Sequence, residues 1–135
     1  MSVGVEDLTS CVVLCEEPLQ GYIPKDVQEW IEEQGVTDQA IATALAAVNG
    51  KVGWLDDELY DYNEESVEYK EKNEEYESWW ALYNVLVEKI ISRLKEMNRT
   101  KGTCYKTDDK GLRYIIEPFM EMNGYCNASG WWIKK

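Results

Sequence analysis

The chain contains no histidine, and this absence excludes more candidate functions than any other feature of its 135 residues. Ser-His-Asp and Cys-His catalytic sites are ruled out, and the commonest general base and zinc ligand is missing. A glycine-rich phosphate loop is also absent, because Gly50-Lys51-Val52-Gly53 lacks the required spacing. We therefore expect a protein that is not an enzyme and that holds no cofactor.

Basic residues and long apolar runs are scarce as well. Only 14 lysines and arginines oppose 26 acidic residues, so the net charge is −12. Such a surface is repelled by nucleic acid and by anionic membranes, which argues against both as direct partners. No run approaches the ~18 apolar residues of a membrane span, and MSVGVEDL lacks the basic region of a signal peptide. These features predict a cytoplasmic protein with reduced thiols.

Metal sites are not favoured by the pattern of ligand-type residues. The four cysteines are Cys11, Cys15, Cys104 and Cys126. Neither pair has the two-residue spacing typical of zinc sites, so we favour small buried thiols over a zinc site. A Cys104–Cys126 disulfide is geometrically possible but is disfavoured in a reducing compartment. Asp56, Asp57 and Asp61 do not match a calcium loop, and we interpret them as a solvated helix face.

The chain is predicted to be one domain, residues 1–135, of the α+β class and mostly helical. The helical part covers about 5–98 and a small antiparallel sheet covers about 103–134. Four to five helices are expected. Residues 5–15 are predicted to form a short helix, although a buried strand fits them equally well. A second helix begins at Pro24 and ends near Gln34, before Gly35.

Two further helical segments precede the longest one. Thr37 is the predicted N-cap of a helix that ends at the stop signal Asn49-Gly50. Residues 54–60 are predicted to form another helical segment. One long helix then covers about 63–98, a stretch without glycine or proline. Its apolar residues step by four and three, the spacing of one helical face, at Tyr76, Trp80, Tyr83, Val87, Ile90, Leu94 and Met97.

The last third of the chain predicts β-structure. Strands are expected at 103–106 and 112–116, joined by a turn at 107–111. A single helical turn from Pro118 follows, and a final strand covers 130–134. Trp131 and Trp132 must point to opposite faces of that strand, so one of them is exposed unless other parts of the chain cover it. We select Trp132 as a candidate binding anchor.

The strongest feature is an acidic run from Asp56 to Glu77. Eleven carboxylates against two lysines give a net charge of −9, three-quarters of the total. Glu64, Glu68, Glu71 and Glu75 are predicted to line one side of the long helix, with a carboxylate about every 5 Å. The phosphates of a DNA strand lie ~3.4 Å apart, a spacing of the same order. The alternative is a solvated helix supported by pairs such as Glu68 with Lys72.

Small size, strong acidity, missing catalytic residues and many aromatic residues together are similar to the anti-CRISPR and anti-restriction proteins of phages and mobile elements, which imitate nucleic acid. The resemblance is one of composition, without a diagnostic motif. It implies an inhibitor in the cytoplasm of a bacterial host that occupies the basic groove of a nucleic-acid-binding protein such as a nuclease. The implied partner-binding residues are Asp57, Asp61, Tyr62, Glu64, Glu68, Tyr69, Glu71, Glu75 and Trp132. Tyr62, Tyr69 and also Tyr76 are expected to stack on guanidinium groups of the partner.

Two other interpretations remain open. The stripe of apolar residues with 4-3 spacing also suits an assembly protein that forms a homodimer through its long helix. A small enzyme that uses carboxylates and a metal ion is the third interpretation.

Overall fold

A computed structural model describes residues 18–108 and 113–134 of the chain. These residues form four α-helices and a two-stranded antiparallel sheet. The helix or strand predicted at 5–15 lies outside the described residues, as does part of the turn predicted at 107–111. The architecture confirms the predicted fold class: mostly helical, with one long helix and a small C-terminal sheet.

The helix predicted from Pro24 to about Gln34 is confirmed. The elements in order are α1 (Pro24–Glu33), α2 (Asp38–Leu59), α3 (Val67–Lys101), a 3-10 helix (Arg113–Ile116), α4 (Glu117–Met122), β1 (Tyr125–Ala128) and β2 (Trp131–Lys134). Pro24 occupies the first turn of α1, and the Ile23 backbone N–H donates to Asp26 Oδ2 at 2.8 Å. Beyond its end, Gly35 adopts a φ of +82°, a left-handed conformation that favours glycine.

Helix α2 is longer than the sequence predicts. It begins as expected, with Thr37 Oγ1 accepting from the Ala40 backbone N–H at 3.1 Å. The break predicted at Asn49-Gly50 is wrong, because the helix continues to Leu59 and includes the segment expected at 54–60. Tertiary packing explains the error. Asn49 Nδ2 donates to the Gly130 carbonyl at 2.9 Å, and a Cβ at Gly50 would lie 2.9 Å from Trp131 Cζ3.

Helix α3 confirms the long helix, with shifted ends. It begins at Val67 because Ser66 is its N-cap, with Ser66 Oγ accepting from the Tyr69 backbone N–H at 3.1 Å. It continues to Lys101 and ends at Gly102, whose φ is +70°. Residues 63–66, predicted to be helical, belong instead to the connection that precedes the cap.

Helices α2 and α3 form an antiparallel hairpin joined by residues 60–66. Ion pairs bridge both ends of the hairpin, with Asp38 reaching Arg93 at 3.3 Å and Glu58 reaching Lys72 at 3.0 Å. Helix α2 is buried on several sides, and five of its buried side chains are small: Ala40, Ala42, Ala44, Ala46 and Ala47. The apolar residues that α3 buries are Trp79, Leu82, Leu86, Val87, Ile90, Ile91 and Leu94. Burying each large aliphatic side chain contributes about 1.5–3 kcal/mol.

The C-terminal part differs from the prediction in where its strands lie. Residues 103–107 have no regular secondary structure and residues 113–116 form a 3-10 helix, so neither predicted strand is present there. Ile115 and Ile116 are both buried, which alternating side chains on a half-covered strand could not achieve. The predicted helical turn is confirmed as α4, and the final strand as β2.

Strand β2 pairs with β1, which the sequence did not reveal. The register places Tyr125 opposite Lys134 and Ala128 opposite Trp131. Ser129 and Gly130 both have positive φ, +54° and +91°, as a two-residue hairpin turn requires. The buried Tyr125 hydroxyl donates to Thr43 Oγ1 at 2.8 Å and joins the sheet to α2.

Candidate binding surface

The acidic run becomes the tip of the α2–α3 hairpin. We call residues 56–77 the acidic tip. They comprise the last turn of α2, the connection and the first three turns of α3. Of the eleven carboxylates, nine belong to exposed residues and two, Glu58 and Glu75, are half-buried. A hairpin must bring its adjoining ends together, so the charges concentrate at one end of the molecule.

The predicted row of four glutamates is only partly formed. Glu68 and Glu71 are exposed on the first turns of α3, as expected. Glu64 is exposed but lies in the connection before the Ser66 N-cap, so its predicted place on the helix is wrong. Local capping is the cause, because Asn63 Oδ1 accepts from the Glu65 backbone N–H at 2.9 Å and fixes a turn there.

Glu75 faces the protein's own lysines. Its carboxylate lies 3.4 Å from Lys51 Nζ and 3.8 Å from Lys72 Nζ, and Lys72 also reaches Glu58 at 3.0 Å. Lys51 is 1% exposed and needs such a partner, because an uncompensated buried charge is costly. Within residues 18–108 and 113–134, Glu58 and Glu75 are the only two carboxylates of the acidic tip that form ion pairs.

Aromatic rings complete this lysine cluster. Lys51 Nζ lies 5.6 Å from the Trp54 ring centroid and 5.9 Å from that of Trp79, and Lys72 Nζ lies 5.8 Å from Trp54. Such cation–π contacts each contribute about 0.5–2 kcal/mol. The cluster holds the N-terminal part of α3 against α2, so the exposed carboxylates stand on an anchored helix.

The connection side of the acidic tip carries a shallow depression. Its lining residues are Asp56, Leu59, Tyr60, Tyr62, Glu64 and Tyr69, and its volume is about 290 Å³. Three predicted partner-binding residues, Tyr62, Glu64 and Tyr69, therefore lie together. The Tyr62 hydroxyl donates to Glu58 Oε1 at 3.3 Å. Desolvation, and then the negative charge of Glu58, raise the pKa of Tyr62.

The remaining predicted residues separate into accessible and inaccessible ones. Asp57 and Asp61 are exposed at the acidic tip. Trp132 is 1% exposed and belongs to the core, so its selection as an exposed anchor is wrong. Successive side chains of β2 point to opposite faces, and the strand buries Trp132 while leaving Trp131 half-exposed.

A larger cavity, which we call the aromatic groove, adjoins the acidic tip. Its volume is about 620 Å³, within the ~300–1,000 Å³ usual for ligand sites. Residues 49–57 of α2 form one wall, residues 76–87 of α3 another, and residues 115–116 and 129–131 close the rest. Along α3, Trp80 stacks between two tyrosines. The ring centroids are 6.4 Å apart to Tyr76 and 5.1 Å apart to Tyr83, with interplanar angles of 13° and 6°.

The aromatic groove was missed because its residues belong to the predicted apolar stripe. Tyr76, Trp80 and Tyr83 have the 4-3 spacing of a core face, yet Trp80 remains 43% exposed. Residues of the predicted stripe are buried only from Val87 onward. Before Val87, the buried residues of α3 are Trp79, Leu82 and Leu86, which do not belong to the stripe. The apolar residues at positions 79, 82 and 86 were the one signal in the sequence that the predicted stripe is not the buried face of α3.

The part of the chain that the structure describes holds neither a metal-binding cluster of three ligating side chains nor a helix long and apolar enough to span a membrane. Cys104 is an exposed free thiol and Cys126 a half-buried one, so the expectation of buried thiols is wrong for Cys104. Cys11 and Cys15 lie outside the described residues.

Comparisons with known proteins add no assignment. No family model, no curated protein and no solved structure matches the chain.

Proposed function

We propose that this protein is a non-enzymatic inhibitor that binds a basic nucleic-acid-binding protein, such as a nuclease of bacterial defence, in the cytoplasm of a bacterial host. The nine exposed carboxylates of the acidic tip carry the proposal. The protein's own lysines neutralise two other carboxylates, and these two face inward.

The geometry of the acidic tip supports occupation of a groove lined by lysine and arginine. Glu68 and Glu71, three residues apart on α3, are separated by about 4.5 Å along the helix axis. This separation is of the same order as the ~3.4 Å between phosphates on a DNA strand. The lysine cluster anchors the helix that presents them, so little conformational freedom is lost on binding. Tyr62 and Tyr69, half-exposed beside these carboxylates, suit stacking on guanidinium groups.

Self-association through the long helix is the second interpretation. It requires the 4-3 stripe as a dimer seam, but Val87, Ile90 and Leu94 of that stripe are buried within the chain itself. We therefore favour the inhibitor. Light scattering tests the difference, with a monomer expected.

The experiment is affinity capture from a nuclease-treated bacterial lysate at low salt, followed by purification of each retained protein. We expect a retained nucleic-acid-binding protein whose complex is displaced by competing DNA. The tip variant carries Asp61→Gln, Glu64→Gln, Glu68→Gln and Glu71→Gln. The control variant carries Glu32→Gln, Glu33→Gln, Asp108→Gln and Glu121→Gln, which removes four exposed carboxylates elsewhere.

Both variants have a net charge of −8 in place of −12. Loss of capture in the tip variant alone supports the proposal. Equal capture by both variants, or a complex that DNA does not displace, refutes it.

A further inference from the structure

We propose that the aromatic groove receives an arginine side chain of the basic partner. This inference rests on the proposed function, because it identifies how that partner is held beside the acidic tip. The groove lies between α2, α3 and the β1–β2 turn, and its volume of about 620 Å³ exceeds that of a single side chain. A short peptide segment carrying the arginine therefore fits.

The wall on α3 is an offset stack of aromatic rings, in which each tyrosine covers only part of one Trp80 face. Tyr76, Trp80 and Tyr83 lie with nearly parallel planes, and Trp80 is 43% exposed although its neighbour Trp79 is buried. A planar guanidinium stacks on such faces and is more weakly hydrated than an ammonium group. The ring geometry therefore favours arginine over lysine.

The charge at the groove has one sign. Asp56 and Asp57 stand on the α2 wall, and the described lining residues include no lysine or arginine. Asp56 and Tyr76 line the same groove, and the pKa of Tyr76 is raised by burial and then by the negative charge of Asp56. A cation on the rings would thus also meet a carboxylate, the pairing that arginine forms best.

The opposite wall is held in place by two contacts. Asn49 Nδ2 donates to the Gly130 carbonyl at 2.9 Å. Trp131 approaches Gly50 so closely that a Cβ there would lie 2.9 Å from its ring. These contacts fix the β1–β2 turn against α2, so the cavity is preformed.

The test uses three tripeptides that differ at one side chain: acetyl-Gly-Arg-Gly-amide, its lysine analogue and its neutral citrulline analogue. Each is titrated into the full-length protein while the indole N–H resonances of Trp80 and Trp131 are followed by NMR. We expect saturable shifts of both resonances with the arginine peptide. Its affinity should exceed that of the neutral citrulline peptide about five-fold, the scale of one cation–π contact. It should also exceed that of the lysine peptide, because a guanidinium is planar and more weakly hydrated than an ammonium group.

Matched variants separate the groove from the general negative charge. Trp80→Ala should lose the arginine preference, and Trp80→Phe should retain part of it. Val85→Ala should change nothing, because Val85 is on the same helix, is equally exposed at 43%, and does not line the groove. The double variant Asp56→Asn/Asp57→Asn should weaken binding several-fold, whereas Glu32→Gln/Glu33→Gln should not.

Several results would overturn the inference. They are arginine binding that survives Trp80→Ala, binding of the lysine peptide or of tetramethylammonium that equals or exceeds that of the arginine peptide, and the absence of saturable shifts.

Failure of the groove inference is distinguishable from failure of the proposed function. If Trp80→Ala leaves partner capture intact while the tip variant abolishes it, only the groove inference fails. If the peptide binds but no nucleic-acid-binding protein is captured, only the proposed function fails.

Discussion

In α3, none of residues 67–78 is buried, whereas residues 79–94 supply all seven buried side chains of the helix. The second half is held by the apolar interface with α2. The first half is held by the Ser66 cap and by the lysine cluster around Trp54. A long helix can thus remain attached to a domain without burying its whole length. The charged half can therefore face a partner.

The largest expected effect is loss of an apolar side chain from the buried half. Leu86 is fully buried, so Leu86→Ala should reduce the free energy of unfolding by about 2–5 kcal/mol. Its neighbour Val85 is exposed, and Val85→Ala should change stability by less than ~0.5 kcal/mol. Urea denaturation measures both. Similar losses at the two positions would contradict the assignment of the buried face.

Two glycines of α2 differ in whether a neighbouring side chain lies against them. Gly50→Ala should reduce stability by up to about 2 kcal/mol, because the collision of the new methyl group with Trp131 costs about 1–3 kcal/mol and the helix gains only about 0.4–1 kcal/mol. Gly53→Ala has no atom within 4 Å of its Cβ and should stabilise the helix by about 0.4–1 kcal/mol. Opposite shifts in thermal unfolding temperature are expected. A stabilising Gly50→Ala would show that the Trp131 contact is not formed.

Two glutamates one turn apart sharpen the comparison within the charged half. Glu75→Gln should reduce stability by about 1–2 kcal/mol, since the carboxylate that lies beside both buried Lys51 and Lys72 loses its charge. The side chain of Glu75 is 38% exposed, so the loss is smaller than the ~3–5 kcal/mol of a fully buried pair. Glu71→Gln should change stability by less than ~0.5 kcal/mol. Equal effects in urea denaturation would argue against the lysine cluster as an anchor.

The smallest effect is a pH dependence at the junction of the two halves. Burial, and then Asp56, raise the pKa of Tyr76 above its ordinary 10.0. The folded state therefore holds the phenolic proton more tightly than the unfolded state. This contribution to stability is complete below pH ~10 and is lost as the pH rises through the folded-state pKa.

Neighbouring carboxylates provide the control for Tyr76. Asp56→Asn should lower the pKa of Tyr76 while burial keeps it above 10, and Asp57→Asn should leave it unchanged. Absorbance at high pH, taken as the difference from the Tyr76→Phe counterpart of each protein, measures this pKa. Equal shifts from the two substitutions would show that Asp56 is not the particular carboxylate that raises the pKa of Tyr76.

Local sequence signals predicted α1, the start of α2, the presence of the long helix and the turn of α4, but not the end of α2 or the Ser66 cap. Pro24, Thr37 and Gly35 act through nearby backbone groups, so their effects are visible in the sequence. The continuation of α2 through Asn49-Gly50 was not predictable, because it depends on contacts with Trp131 and Gly130, about 80 residues away. Strand β1 was missed for a similar reason, since Tyr125–Ala128 pairs with a strand that the turn at Ser129-Gly130 folds back.

The candidate site, like the fold, was predictable only where it depends on local sequence. Charge is additive along the chain, so the acidic run located the acidic tip correctly. Pairing is not additive, and the inward position of Glu75 depends on Lys51 from another helix. The aromatic groove is formed by four separate segments, so the spacing of Tyr76, Trp80 and Tyr83 alone indicated a core face.

The most direct test of the central claim measures binding of the captured nucleic-acid-binding protein to the unaltered chain, the tip variant and the control variant between ~0.05 M and ~0.5 M salt, where screening becomes strong. We predict that the tip variant alone loses affinity at low salt, by about ten-fold or more, through slower association and faster dissociation. Its difference from the unaltered protein should shrink as salt rises. Equal affinities of the tip and control variants throughout this range would contradict the account.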